Sequence, residues 1–259
     1  MSRPELKYDT PYNRYQRDLE QPGFTRDPAQ AQVVDQLQAL FEALVEQGVP
    51  KTGLSGLWER LRRRVSKAPI TPVTGLYLWG GVGRGKTYLM DNFYESLPFE
   101  QKMRAHFHRF MRRVHGELKQ LDGQKNPLEQ VADRIAREAR VICFDEVFVS
   151  DITDAMILGT LMQALFRRGV TLVATSNIPP DNLYKDGLQR ARFLPAIEQI
   201  KRHTRVLQLD SQNDYRLRAL EQAELYHSPL DARADESLMA SFRSLVPAED
   251  EICADQVLE

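Results

Sequence analysis

The segment Gly80-Gly81-Val82-Gly83-Arg84-Gly85-Lys86-Thr87 lies between the apolar run Gly75 to Trp79 (GLYLW) and a helix-like stretch that begins at Lys86. A G-x-x-x-x-G-K-[ST] pattern with a strand before it and a helix after it constrains this chain more than any other feature. Its glycines let successive backbone N–H groups turn inward around phosphate oxygens, and the helix N-terminus adds its partial positive charge to the same place. Lys86 would neutralise the β- and γ-phosphates of a nucleotide, and the Thr87 hydroxyl would be a ligand of Mg²⁺. All eight residues, Gly80 through Thr87, are therefore candidates for nucleotide binding.

The rest of the chain supplies the frame that such a loop needs. Beyond Pro69 and Pro72, short β-rich runs recur: Gly75 to Trp79, Arg104 to Phe110, Arg140 to Phe144, Thr171 to Thr175 and Arg205 to Leu209. Helix-like segments separate them, near Lys86 to Glu95, Arg112 to Leu121, Leu128 to Glu138, Ile152 to Arg168 and Phe193 to Ile200. Strands alternating with helices predict an α/β fold with a parallel sheet flanked by helices, because parallel neighbours need crossover connections. Ligands of such sheets bind at the carboxyl ends of the strands.

Two further strand ends carry chemistry. Val141 to Phe144 closes on Asp145-Glu146, where a Walker B element belongs. Asp145 would hold Mg²⁺ and Glu146 would polarise an attacking water, which favours hydrolysis over transfer to a small acceptor. Thr171 to Asn177 (TLVATSN) ends in Thr175, Ser176 and Asn177, and the Asn177 amide suits both a phosphate oxygen and the lytic water; Ser-Asn ahead of Pro179-Pro180 is also ordinary turn chemistry.

Outside this core the sequence is less specific. Pro4 to Phe24 lacks periodicity and reads as an extended arm. Asp27, Pro28 and Gln30 form a helix start with a capping-box pattern, followed by apolar positions from Val33 to Leu44 at helical spacing. A second short helix is expected around Leu57 to Val65; its Arg60, Arg62, Arg63 and Arg64 are either a solvated face or a nucleic-acid patch. After Asp210 the strand signal fades, a helix is expected from Tyr215 to Tyr226, and the acidic end reads as an incomplete lid region. The expected organisation is 1–68 N-terminal arm and helices, 69–210 phosphate-loop core, and 211–259 the start of a C-terminal helical lid.

Composition bounds the partners and the compartment. Lys+Arg (35) and Asp+Glu (36) nearly cancel, so overall charge gives no firm signal for nucleic acid or an anionic surface. Cys143 and Cys253 are too few for a disulfide framework and fit a reducing, cytoplasmic setting. No run of 18 apolar residues suggests a transmembrane segment.

The order Walker A, Walker B with Asp-Glu, and strand-end Asn resembles the AAA+ superfamily. Within it, HFHRFM (His106 to Met111), FDEVFVSDITDAM (Phe144 to Met156) and NLYKDGLQRARFLPAI (Asn182 to Ile197) resemble the ZapE family of bacterial division-ring ATPases and their mitochondrial relatives. The resemblance runs from about Tyr12 onward. It implies Mg²⁺-dependent ATP hydrolysis, assembly into a homo-oligomer on ATP binding, and action on FtsZ polymers by a cytoplasmic protein recruited to the division site, with peripheral association there. It also implies a catalytic arginine supplied by a neighbouring subunit, with Arg190 matching the Leu-Gln-Arg of the motif and Arg192 the second candidate. Phe110 and Met111 stand where such assemblies place a substrate-gripping loop, although an aromatic beside a strand is equally a core residue. His106 and His108, read as alternating along that strand, would share a face as a metal pair without a recognisable third ligand. A nucleic-acid-directed ATPase of helicase-loader type is the alternative function, and a small-molecule kinase is disfavoured by Glu146 and Asn177.

Overall fold

The computed structural model describes residues 9–22, 24–48 and 72–210. The expected helix carrying Arg60 to Arg64, the helix from Tyr215 to Tyr226, the lid region and Cys253 lie outside the described residues.

Five parallel strands form the sheet: β1 (Gly75–Trp79), β2 (Lys102–His106), β3 (Val141–Asp145), β4 (Thr171–Ser176) and β5 (Thr204–Gln208), in the spatial order β2-β3-β4-β1-β5. Period-two alternation sends side chains to both faces, and both faces are covered. Ile142 and Phe144 of β3 pack with Tyr77, Leu172 and Ala174 under α4 (Phe107–Gln120), α5 (Pro127–Glu138), α6 (Ile152–Arg167) and α7 (Leu194–His203). Val141 and Cys143 point the other way, joining Leu76, Leu78 and Val173 under α1 (Pro11–Leu19), α2 (Pro28–Gly48) and α3 (Lys86–Ser96). Burial among these apolar groups pushes the Cys143 thiol pKa far up, so it is a core residue rather than a reactive one.

The crossovers create the site. From β1 the chain leaves through α3 on one face, whereas from the adjacent β4 it leaves through α7 on the other. Where neighbouring strands send their connections to opposite faces, a crevice opens beyond their carboxyl ends. The phosphate-loop candidate occupies that position, immediately after β1.

Two expected elements differ. The arm around Pro4 to Phe24 contains α1, started by Thr10, whose hydroxyl accepts from the Asn13 N–H at 3.3 Å, and by Pro11 at the first helical position. This helix is nine residues long and buries only Pro11 and Tyr15, too little apolar content to show a period in sequence. The strand expected from Arg104 to Phe110 ends at His106, and α4 starts at Phe107. Phe107, Phe110, Met111 and Val114 are its buried positions, at helical spacing.

The sheet is tightest at Gly75. A Cβ there would stand 1.8 Å from the Leu172 carbonyl oxygen of β4, against backbone that has nowhere to move. Gly75→Ala is expected to lose at least about 2 kcal/mol of stability by overpacking. Gly116→Ala, on the exposed side of α4 with nothing within 4 Å of the new methyl, is expected to gain about 0.5–1 kcal/mol. Chemical denaturation followed by far-UV circular dichroism measures both; equal effects would contradict this account of the β1–β4 contact.

Candidate active site

The loop from Gly80 to Gly85 is stitched into the sheet before it turns. The Gly80 N–H donates to the Ser176 carbonyl at 3.2 Å, and the Leu209 N–H donates to the Trp79 carbonyl at 2.7 Å. Gly85 caps α3 with φ 85°, a left-handed conformation that an L side chain resists. A second constraint acts there, since a Cβ on Gly85 would lie 2.5 Å from Nε2 of Gln30. That Nε2 donates to the Arg84 carbonyl at 3.2 Å, so α2 braces the loop from outside the sheet. The sequence pattern pointed only to a cap. Asp27 Oδ1 does accept from the Ala29 and Gln30 N–H groups, but the Gln30 side chain reaches the loop.

Lys86 is buried at the start of α3 and donates to the carbonyls of Gly80 (2.9 Å) and Gly81 (2.7 Å) and to Asn177 Oδ1 (3.0 Å). One ammonium thus joins the loop to the residue just past β4. The next residue, Thr87, donates its hydroxyl to Asp145 Oδ1 at 3.0 Å, which joins the loop to β3. Asp145 is almost fully enclosed, its side chain 3% exposed. The same Oδ1 accepts from the Thr175 hydroxyl at 2.6 Å, while Oδ2 receives Arg104 Nη2 at 3.4 Å and lies 3.8 Å from His106 Nδ1.

Glu146 stands one residue further on, exposed and with φ 54°. A glutamate in this left-handed region is held at a cost, and the neighbouring bonds show what holds it. Its N–H donates to the Thr175 hydroxyl at 3.0 Å, and the Val147 N–H donates to the Thr175 carbonyl at 2.8 Å. Ser176 adds a bond from its hydroxyl to the Val147 carbonyl at 2.8 Å. Thr175 and Ser176, at the end of β4, are buried and orient the acidic pair. Glu146 and Asn177 open onto a pocket of about 460 Å³ that Phe107, His108 and Phe148 also line.

Three strand-end motifs separated in sequence therefore converge on one crevice. Residues 9–258 match the family described as AFG1-like ATPase. The chain belongs to the AFG1-like ATPase family. It is 56% identical over 224 residues to the cell division protein ZapE of Escherichia coli (strain K12), an overlap of 85% of this chain and 60% of that protein. Lactation elevated protein 1 homolog B of Danio rerio is 41% identical over 199 residues, covering 72% of this chain and 40% of that protein. The chain thus spans at most 60% of the length of these curated relatives. Among solved structures, DnaI overlaps 65% of this chain and 88% of its own with a TM-score of 0.45 and 18% identity, too distant to bear on function.

The remaining motif residues of this AFG1-like chain fall in different places. Phe110 and Met111 do not line an open loop; they are 2% and 1% exposed, with the Phe110 ring centroid 4.5 Å from that of Phe144. His106 ends β2 and His108 lies in the first turn of α4, so they do not share a strand face, although their rings stack at 6.0 Å. Among the described residues no three His, Cys, Asp or Glu side chains gather as a metal cluster. Nor is any described helix long and apolar enough to cross a membrane. Arg190 opens a 3-10 turn, Arg190–Arg192, apart from the crevice contacts above, and its Nη2 donates to the Asp181 carbonyl at 2.7 Å. Arg192, in the same turn, is exposed.

Truncating a ring packed against Phe144 leaves a cavity between α4 and the sheet. Phe110→Ala is accordingly expected to cost about 3–5 kcal/mol of stability. A thermal or urea melt that matches the parent protein would put Phe110 back on a surface.

Proposed function

We propose that this chain is a Mg²⁺-dependent ATP hydrolase whose turnover remodels FtsZ polymers, working in the cytoplasm at the division site as a homo-oligomer. The supporting observation is the pair of contacts that start from consecutive residues of α3. Lys86 bonds Asn177, and Thr87 bonds Asp145, so the phosphate loop, the metal carboxylate and the strand-end amide form one constellation. FtsZ and the division site enter through the resemblance to the ZapE family.

In this reading the amides from Gly80 to Gly85 and the N-terminus of α3 cradle the phosphates, and Lys86 turns from the Gly80 and Gly81 carbonyls to their oxygens. Thr87 Oγ1 and Asp145 Oδ1 are adjacent hard oxygen donors, the kind that magnesium takes, and they would hold it directly or through water. Magnesium bound there would offset charge on the phosphate oxygens during transfer. Asn177 orients a water, Glu146 accepts its proton, the water oxygen bonds to the γ-phosphorus, and the bridging P–O bond breaks to leave ADP and phosphate.

A neighbouring subunit completes the site through the Arg190–Arg192 turn. Arg190 is the candidate matched by motif; Arg192 is the exposed alternative.

Lys86→Ala is expected to abolish nucleotide binding, whereas Glu146→Gln is expected to bind normally and turn over about 10²–10⁴-fold more slowly. Fluorescent-nucleotide titration together with phosphate-release assays separates the two, and a Glu146→Gln protein with near-parental turnover would remove Glu146 from its role. Arg190→Ala should bind ATP but hydrolyse poorly, and mixing it with Lys86→Ala should restore some activity at interfaces that combine an intact loop with an intact arginine. If the mixture assembles by light scattering yet stays inactive, the trans-acting role passes to Arg192, for which the same mixing is repeated.

A further inference from the structure

Arg104 has no part in the mechanism above, yet it touches the carboxylate assigned to magnesium. It lies on β2, beside β3, two residues before the pairing of His106 with Asp145. Its guanidinium is shared unequally. Nε donates to Asp91 Oδ1 at 2.6 Å and Nη2 to Asp91 Oδ2 at 3.1 Å, a bidentate pair, while Nη2 reaches Asp145 Oδ2 only at 3.4 Å. The first two are charge-assisted bonds of short and ordinary length, and the third is a weak one. Asp91 sits four residues after Thr87 on α3, so one helical face carries both the metal-binding hydroxyl and the carboxylate that restrains the arginine.

We propose that Arg104 is a positioning residue that competes with magnesium for Asp145, and that Asp91 sets the competition by holding Arg104 back. This rests on the reading of Asp145 as a magnesium-holding residue. Asp145 is nearly buried, and a buried carboxylate needs positive charge nearby. Arg104 supplies some at Oδ2, leaving Oδ1 beside Thr87 for the metal. Full engagement of the guanidinium would instead neutralise the carboxylate and repel a dication a few ångströms away. Asp91 restrains that engagement by holding the Nε–Nη2 edge of the guanidinium, which leaves Nη2 at 3.4 Å from Asp145 Oδ2. His106, at 3.8 Å, is the other group of potential positive charge at Oδ2, and it stays in place in every variant below.

The signs of the expected effects follow from charge. In Asp91→Asn the arginine loses its stronger partner and closes on Asp145, so magnesium must bind against it. Removing Arg104 as well lifts the competition, and removing Arg104 alone leaves Asp91 as an additional negative charge near the metal. The test is equilibrium binding of a fluorescent ATP analogue to the whole chain, first in chelator and then across a magnesium titration. Circular dichroism on each variant checks folding, and turnover is not the readout. Asp91→Asn is expected to raise the half-saturating magnesium concentration by about tenfold while affinity in chelator stays the same. Asp91→Asn/Arg104→Gln should return it to the parental value or below, and Arg104→Gln alone should lower it. A loss caused only by damaged structure would not be reversed by a second substitution. An unshifted Asp91→Asn, or a double variant as impaired as the single one, would overturn the proposal. Should Asp91→Asn fail to fold, Arg104→Gln decides alone, an unchanged magnesium requirement counting against the proposal. The underlying metal reading fails differently: nucleotide binding by the parental protein would then not respond to magnesium, or Asp145→Asn would leave that response intact.

Discussion

A single carboxylate ties the carboxyl edge of this sheet together. Asp145 has been taken almost wholly out of water at the end of β3, and a charge in that position is tolerated only if donors replace the lost solvent. They come from three other elements: Thr87 from α3, Thr175 from β4 and Arg104 from β2. Each bond that satisfies the charge also fixes the position of an element. The candidate site is therefore assembled by the same electrostatic requirement that holds the strand ends in place, and separating effects on turnover from effects on structure by mutation calls for paired variants.

The stitching continues past the ends of the regular strands. Thr175 uses its hydroxyl for both Asp145 and the Glu146 N–H, and its carbonyl for the Val147 N–H, so the three residues Asp145 to Val147 are positioned by one residue of β4. This is how Glu146 keeps a left-handed backbone without being glycine. Local strain at the acidic pair is offset by bonds to its neighbour on the sheet.

Much of this was legible in the sequence where local chemistry and periodicity agree. The glycine pattern after GLYLW, the apolar run into Asp145-Glu146 and the strand ending at Ser176-Asn177 each carry their own signature, and the sheet brings all three to one edge. The departures arise where two signals compete or where contact is purely tertiary. His106 and His108 with their aromatic neighbours look like strand alternation, yet Phe107, Phe110, Met111 and Val114 carry a helical period, and packing beneath α4 follows the latter. In α1 a polar nine-residue helix rests on a threonine cap and Tyr15, below the length at which a period shows. Gln30 offered a local role at its own cap, and the fold uses it on Arg84, 54 residues away. The Arg104–Asp91 fork had no sequence signature at all, because it depends on β2 lying beside β3 and on which face α3 presents.

The Gln30 bond gives the phosphate loop a mechanical attachment to a part of the chain that lies well before it. α2 is 21 residues long, a rod of about 30 Å, clamped to the Arg84 carbonyl at its first turn. Its buried stripe, from Val33 to Leu44, shares one packed layer with Tyr15 of α1 and with Leu89 and Phe93 of α3. Close-packed layers have low compressibility and transmit strain. A displacement of the loop backbone at Arg84 would therefore either stretch this bond or pass strain into the layer on which the amino-terminal helices pack. One uncharged side chain is thus the link between the outer helices and the candidate phosphate loop.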